Sequence, residues 1–389
     1  MKGLSEPEQM LWRRLAVFAG SCSREAVEAV CLEKEMPQDA AASLLDHLVA
    51  EGLLTIEVGG QETRYQLPEA LRPAAQAQLA DSGEVDALHD RLVAFSAQFA
   101  EQALQHAFGP QRATWMQRLE REHTNARAAL EWLVARGDAE RGLRLADLLQ
   151  ELWFEEQHTS EGRAWFAALL ALPQAAARTS QRAMALDLAG AYALNQGDYS
   201  AARALKEESV AILRELGDMN HLAYVLLHLG HLAGYAQEDY QAARALYQEG
   251  LGLFQNLSNA EGTAHALSNL GNVALLTGDH AAARPLVGDS LRRYRALGEI
   301  YAQARSLGSA AGIAAGDGQP ERALRLAGAS AAQCTAMGVS QPAVFETWRE
   351  RVIERARQAL DETTQAALWA EGQRMPLDQA VAYALEEPL

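Results

Sequence analysis

The side chains best suited to chemistry gather in the middle of the sequence. His221, His228, His231 and His265 lie there, and His228 and His231, three apart, would share one face of a helix. Imidazoles so placed could move protons or ligate zinc, but a zinc site needs three or four converging donors and no cysteine stands near them. Packed or solvated histidines are the reading the sequence favours, and neither a metal nor a cofactor is expected. Cys22, Cys31 and Cys334 have no metal-ligand spacing and no disulfide framework, and the first two sit among apolar residues as buried thiols would. The only lysines are Lys2, Lys34 and Lys206, and none follows the Gly-x-x-x-x-Gly that cradles phosphates. No Ser-His-Asp, paired-carboxylate or Gly-x-Ser-x-Gly arrangement stands out. Trp115, Trp132, Trp153 and Trp165 recur at helical spacings, which suits core better than a ring-stacking site. By its residues, this chain binds and does not catalyse.

Such side chains need a scaffold, and the sequence repeats one. DLAGAYALNQGDYSAARAL at 187–205 is echoed at 227–246 and again as SNLGNVALLTGDHAAARPL at 268–286. Asp198, Asp239, Asp279 and Gln319 occupy equivalent breaks, spaced 41, 40 and 40 residues apart. Eight or nine residues before each break comes a small residue (Gly190, Gly230, Gly271, Ala311), and four after it an alanine (Ala202, Ala243, Ala283, Ala323). Small residues at fixed points let two helices approach closely, so each unit reads as helix, tight turn, helix. One such hairpin cannot cover its apolar face alone, whereas a stack can.

The flanks differ. Residues 1–82 begin with three short helical patterns, followed by the alternation LLTIEV, a Gly59–Gly60 turn and RYQL, which predicts a β-hairpin and hence a winged helix. Its third helix, the one that would enter a DNA groove, carries Asp39, Asp46 and Glu51 and no Lys or Arg. The hairpin adds only Arg64, so the sequence argues against direct DNA reading. Residues 83–178 read as degenerate helical repeats, 179–339 as four regular ones and 340–389 as capping helices. The net charge is −17, with 31 Arg and 3 Lys, which repels nucleic acid generally. No apolar run is long enough to span a bilayer, and a reduced cytoplasmic setting is expected.

The repeat pattern resembles the tetratricopeptide repeat, whose first helix carries a small residue and whose second opens with alanine. The resemblance implies an all-α, right-handed superhelix in units longer than the usual period of about 34 residues. In that family, positions 2, 5, 9 and 12 of each unit line the concave face. Here they give Asp187, then Tyr224, Leu227 and His231, then His265, Ser268 and Asn272, then Arg305. Asn272, with Asn269 beside it, resembles asparagines that hold a peptide main chain, since an amide both donates and accepts. Equally, the two could bridge neighbouring helices. The family's two-lysine clamp for a peptide C-terminus is absent.

A wider resemblance runs through LSEPEQMLWRRLAVFAGSCSREAVEAVC (4–31), RYQLPEALRPAAQAQL (64–79), EHTNARAALEWLVARGD (122–138) and LWAEGQRMPLDQAVAYAL (368–385). These segments are similar to bacterial STAND-type signal-transduction ATPases, relatives of AfsR-like and LuxR-type regulators. Glu69, Arg72 and Ala75 match that family after the hairpin, while Pro73 and Ala74 depart from it. The resemblance implies a winged helix that contacts a nucleotide-binding domain and a repeat sensor that takes a protein, peptide or small-molecule inducer. Lacking a P-loop, this chain would be the sensor half of a larger protein or a relative without the motor. A constitutive repeat adaptor is the alternative.

Overall fold

A computed structural model describes residues 3–32, 38–57, 62–107, 111–154, 158–337 and 343–386. The chain forms two compact units: Met1–Ala107 with Ala113–Ala176, and Ala177–Leu389 with Phe108–Arg112.

The first unit opens with α1 (Glu6–Arg14), α2 (Arg24–Cys31) and α3 (Gln38–Ala50). Strands β1 (Cys22–Ser23), β2 (Thr55–Glu57) and β3 (Arg64–Gln66) form an antiparallel sheet in the order β1-β3-β2. This is a winged helix. The hairpin arms are where the alternation placed them, and the Gly59–Gly60 turn lies outside the described residues. Strand β1 is additional: with only Cys22 opposite Tyr65 and Ser23 opposite Arg64, it is too short to show a period. Cys22 and Cys31 are buried, and burial pushes both thiols well above their ordinary range, so neither is a nucleophile at neutral pH.

Helices α4 (Arg72–Ser82), α5 (Val85–Leu104), α6 (Arg112–Arg136), α7 (Ala139–Leu148), α8 (Gln150–Trp153) and α9 (Thr159–Leu170) complete this unit. Arg64, the one basic residue of the hairpin, turns inward. Its guanidinium donates to Glu122 of α6 at 2.6 Å, to Ser21 Oγ at 3.0 Å and to the Ser21 and Arg121 carbonyls at 2.7 and 3.2 Å. Asn125, one turn along α6, donates to the Ser21 carbonyl at 2.9 Å and accepts from the Gly20 N–H at 3.1 Å. A buried guanidinium with its donors satisfied in this way binds the sheet to α6 and offers nothing to a phosphate. Trp153 is fully buried, while Trp115 and Trp132 stack on His106 and His89.

The second unit is a succession of antiparallel hairpins. They are α10 (Ser180–Asn195) with α11 (Tyr199–Leu216), α12 (Met219–His231) with α13 (Tyr240–Asn256), α14 (Ala260–Leu276) with α15 (His280–Leu297), and α16 (Ile300–Gly316) with α17 (Pro320–Ala336). Helices α18 (Ala343–Gln358), α19 (Glu362–Gln373) and α20 (Leu377–Leu385) pack over the last pair. The small residues do what their spacing requires. Ala202, Ala243, Ala283 and Ala323 are all fully buried, and a methyl on Gly230 would sit 2.4 Å from the ring of buried Tyr247.

Three of the four turns use one device. A residue in the left-handed region ends the first helix, and the following Asp caps the second through its side chain: Asp198 accepts from the Ala201 N–H, Asp239 from Ala242 and Asp279 from Ala282, at 3.0–3.1 Å. In the fourth unit Gln319 makes no such cap, and Pro320 at the first helical position starts α17 instead. The second unit also differs. Asp239 comes nine residues after Gly230, where the corresponding break comes eight residues on in the other units, and the extra residue is absorbed in a π-helical turn, Leu232–Ala236. There the left-handed residue is Glu238, φ 54°, where the other three units have glycine at φ 72–76°.

A side chain in that conformation costs about 1–2 kcal/mol, partly offset by the greater chain entropy glycine loses on folding. Glu238→Gly is therefore expected to raise stability by roughly 0.5–1 kcal/mol in urea unfolding; a loss would show that the turn, or the exposed Glu238–Arg351 pair, is worth more than the relieved strain.

Candidate functional site

The first helices of successive hairpins, α10, α12, α14 and α16, lie side by side, and one polar seam crosses all four. It begins at Asp187 on α10, which is buried. Lys206 of α11 places Nζ 2.6 Å from one carboxylate oxygen and 3.0 Å from the Asp187 carbonyl; His228 Nδ1 of α12 is 2.6 Å from the other oxygen. Burial would raise the Asp187 pKa, yet the charges and hydrogen bonds of His228 and Lys206 hold the carboxyl well below the usual range. A buried lysine would carry a large desolvation cost without this partner.

Across the next boundary, His231 of α12 lies beside Asn269 of α14. Burial, reinforced by the neighbouring His228, lowers His231 to about 3 and keeps it neutral. Tyr235, on the π-turn, lies near Asn272 of α14, and burial pushes its phenol up to about 12. Asn272 Oδ1 accepts from Ser309 Oγ of α16 at 2.7 Å. Asn272 thus bridges α14 and α16, one of the two roles its amide allows. His265 Nδ1 lies 3.0 Å from Tyr294 OH. Burial lowers the His265 pKa, and Arg305 of α16 adds its charge to keep both His231 and His265 unprotonated.

Of the residues that the sequence places on this face, Tyr224, His231, His265, Ser268 and Arg305 keep part of their surface exposed. His228, which the repeat positions did not select, joins them with its side chain 44% exposed. Asp187, Asn269 and Asn272 lie beneath as supports. Leu227 is a correction: 3% exposed, it packs over Gly250 in the α12–α13 core, because its position faces its own hairpin partner. Nothing in the sequence around Lys206 marks a role for it; the role appears when α11 brings it to Asp187. A separate cleft of about 290 Å³ near α20 is lined by arginines already matched with acids, Arg284 with Asp317 and Arg322 with Glu386.

Residues 221–296, spanning α12 to α15, match the tetratricopeptide repeat family. Among curated proteins, the chain is similar to "Putative HTH-type transcriptional regulator Rv0890c" of Mycobacterium tuberculosis, 32% identical over 239 residues, covering 60% of this chain and 27% of that protein. "Putative HTH-type transcriptional regulator Mb0914c" of Mycobacterium bovis matches with the same figures. The chain therefore spans about a quarter of the length of these relatives. Among solved structures, it is similar to the STAND protein with a tetratricopeptide repeat sensor PH0952 of Pyrococcus horikoshii, at a TM-score of 0.45 and 12% identity over 95% of this chain and 62% of that one. BtubC of P. vanneervenii gives 0.40 and 16% over 54% and 92%. No described helix is long and apolar enough to cross a membrane.

Two outcomes follow from the seam within these helical hairpins. Asp187→Asn leaves the Lys206 ammonium buried without a countercharge and is expected to cost about 3–5 kcal/mol in chemical unfolding. Replacing both, as Asp187→Leu with Lys206→Met, should restore most of it; if the single change costs under about 1 kcal/mol, the pair is not the support described. His231 has a folded pKa below its unfolded value, so the unfolded chain binds more protons between them. Its contribution is complete above about pH 6.5 and is lost as pH falls toward 3. Melting temperature should thus fall from pH 7 to pH 5, and His231→Gln should flatten that slope.

Proposed function

We propose that this chain is the winged-helix and repeat sensor portion of a STAND-type signal-transduction regulator. It is a non-catalytic, cytoplasmic module that takes a protein, peptide or small-molecule inducer on the concave face of its repeats. The observation that carries the reading is the polar seam itself. Four successive first helices contribute to one row in which His228, His265, Ser268, Tyr224 and Arg305 are reachable from solvent. Asp187 holds His228 from below, Tyr294 holds His265 and Asn259 meets the Tyr224 hydroxyl, a preorganisation that spares a ligand part of the cost of ordering them. The regulators among the curated relatives support the signalling context, and the sequence segments shared with STAND proteins support a nucleotide-binding partner at the winged helix. Arg64 is spent on Glu122, which adds to the case against the wing reading DNA.

Relay requires that the ligand favour one arrangement of the chain over another. Native mass spectrometry of the purified chain, after exposure to small molecules and peptides from its host, identifies the bound species; calorimetry then measures its affinity. His265→Ala with Arg305→Gln is expected to weaken that affinity at least tenfold, and an unchanged value removes the seam as the site. Ligand-dependent hydrogen exchange in residues 1–80 is the expected sign of relay. Exchange altered only in the repeats would instead make the chain a constitutive scaffold.

A further inference from the structure

Away from the repeats, α6 and α9 bring together another set of donors. Glu120 and His123 stand one turn apart on α6; His158 and Glu161 stand one turn apart where α9 begins. One donor atom from each of Glu120, His123 and His158 lies within 4.8 Å of the other two. His158 Nε2 is 2.8 Å from a Glu120 oxygen, and the two imidazoles meet edge to face with centroids 4.7 Å apart. Glu161 sits behind them, with Oε2 3.1 Å from His123 Nε2 and 3.9 Å from His158 Nδ1. Its other oxygen is fixed by Trp165 Nε1 at 3.1 Å and Arg127 Nε at 3.2 Å. The histidine side chains are 11% and 14% exposed, while Glu120, at 44%, closes the group from the solvent side.

We propose that Glu120, His123 and His158 bind one divalent transition-metal ion of the zinc class, with Glu161 orienting the two imidazoles. Two imidazoles and a carboxylate form a nitrogen-rich donor set that suits zinc and its neighbours, whereas calcium and magnesium take oxygen ligands. Tetrahedral bonds of about 2.0–2.2 Å put donors about 3.3 Å apart, so the group must contract, and the exposed Glu120 side chain is free to swing inward. A carboxylate behind ligating histidines, itself held by other side chains, is the usual outer support of such an ion. The fourth position falls to water. The ion would tie α9 to the helix whose Glu122 and Asn125 hold the winged-helix sheet, which gives it a structural task.

The test uses the whole chain, stripped with a chelator and titrated with Co²⁺, whose visible ligand-field bands report the coordination, followed by Zn²⁺ displacement. One saturating equivalent per chain is expected, together with a higher melting temperature in Zn²⁺. Glu120→Gln, a change on an exposed side chain, and His158→Gln should each abolish the stoichiometric band, with circular dichroism confirming that both variants remain folded. Glu161→Gln should weaken binding about 10–100-fold, and His265→Gln should leave it unchanged. Absence of a saturable band in the unaltered chain overturns the proposal. So does a band that survives in folded Glu120→Gln and His158→Gln, or one that is lost in His265→Gln.

Discussion

A helical hairpin with two apolar flanks can cover only one of them with its own partner helix, and the second unit of this protein is built around that shortfall. Every first helix must lie against its own second helix and also against the hairpin on either side. Contact on several sides leaves no room for large residues at the crossing points, which is why fully buried alanines recur after each break. Where the packing is that close, side-chain choice is no longer free. The polar groups of the seam are then confined to the strip of first-helix surface that no neighbour covers completely.

That confinement explains the chemistry of the seam. A carboxylate, a lysine and several histidines placed at the margin of an alanine-rich stack are each partly or wholly withdrawn from water, so each must find a partner or stay neutral. Asp187 solves this with Lys206 and His228, and His231 by remaining uncharged beside Asn269. The same rule operates in the first unit, where Arg64 is drawn under the sheet by Glu122. A residue that looks like a nucleic-acid contact in sequence becomes an internal fastener in three dimensions.

What could be read from the sequence was whatever repeats or punctuates. Asp198, Asp239 and Asp279 mark the turns because a cap is a local device, made within three residues of itself. The hairpin arms showed through alternation, and the polar row along the first helices came with the repeat. Long-range pairings left no such mark. Nothing near Lys206 announces Asp187, nothing near His123 announces His158, and β1 is shorter than any period. Leu227 was misplaced because the repeat positions used to select groove residues do not say how deep a given residue lies. The count of nine residues before Asp239 was visible, but not the π-turn that it becomes.

That turn has a consequence for how the array can change. An inserted residue in a continuous α-helix rotates everything beyond it by about 100°. Here the insertion is taken up within a single widened turn, and Asp239 caps α13 as its counterparts cap theirs. The spacing of the later breaks returns to 40 residues. A repeat array able to confine a length change in this way can alter the lining of one rung, here by swinging Tyr235 toward Asn272, while the rungs above and below keep their register.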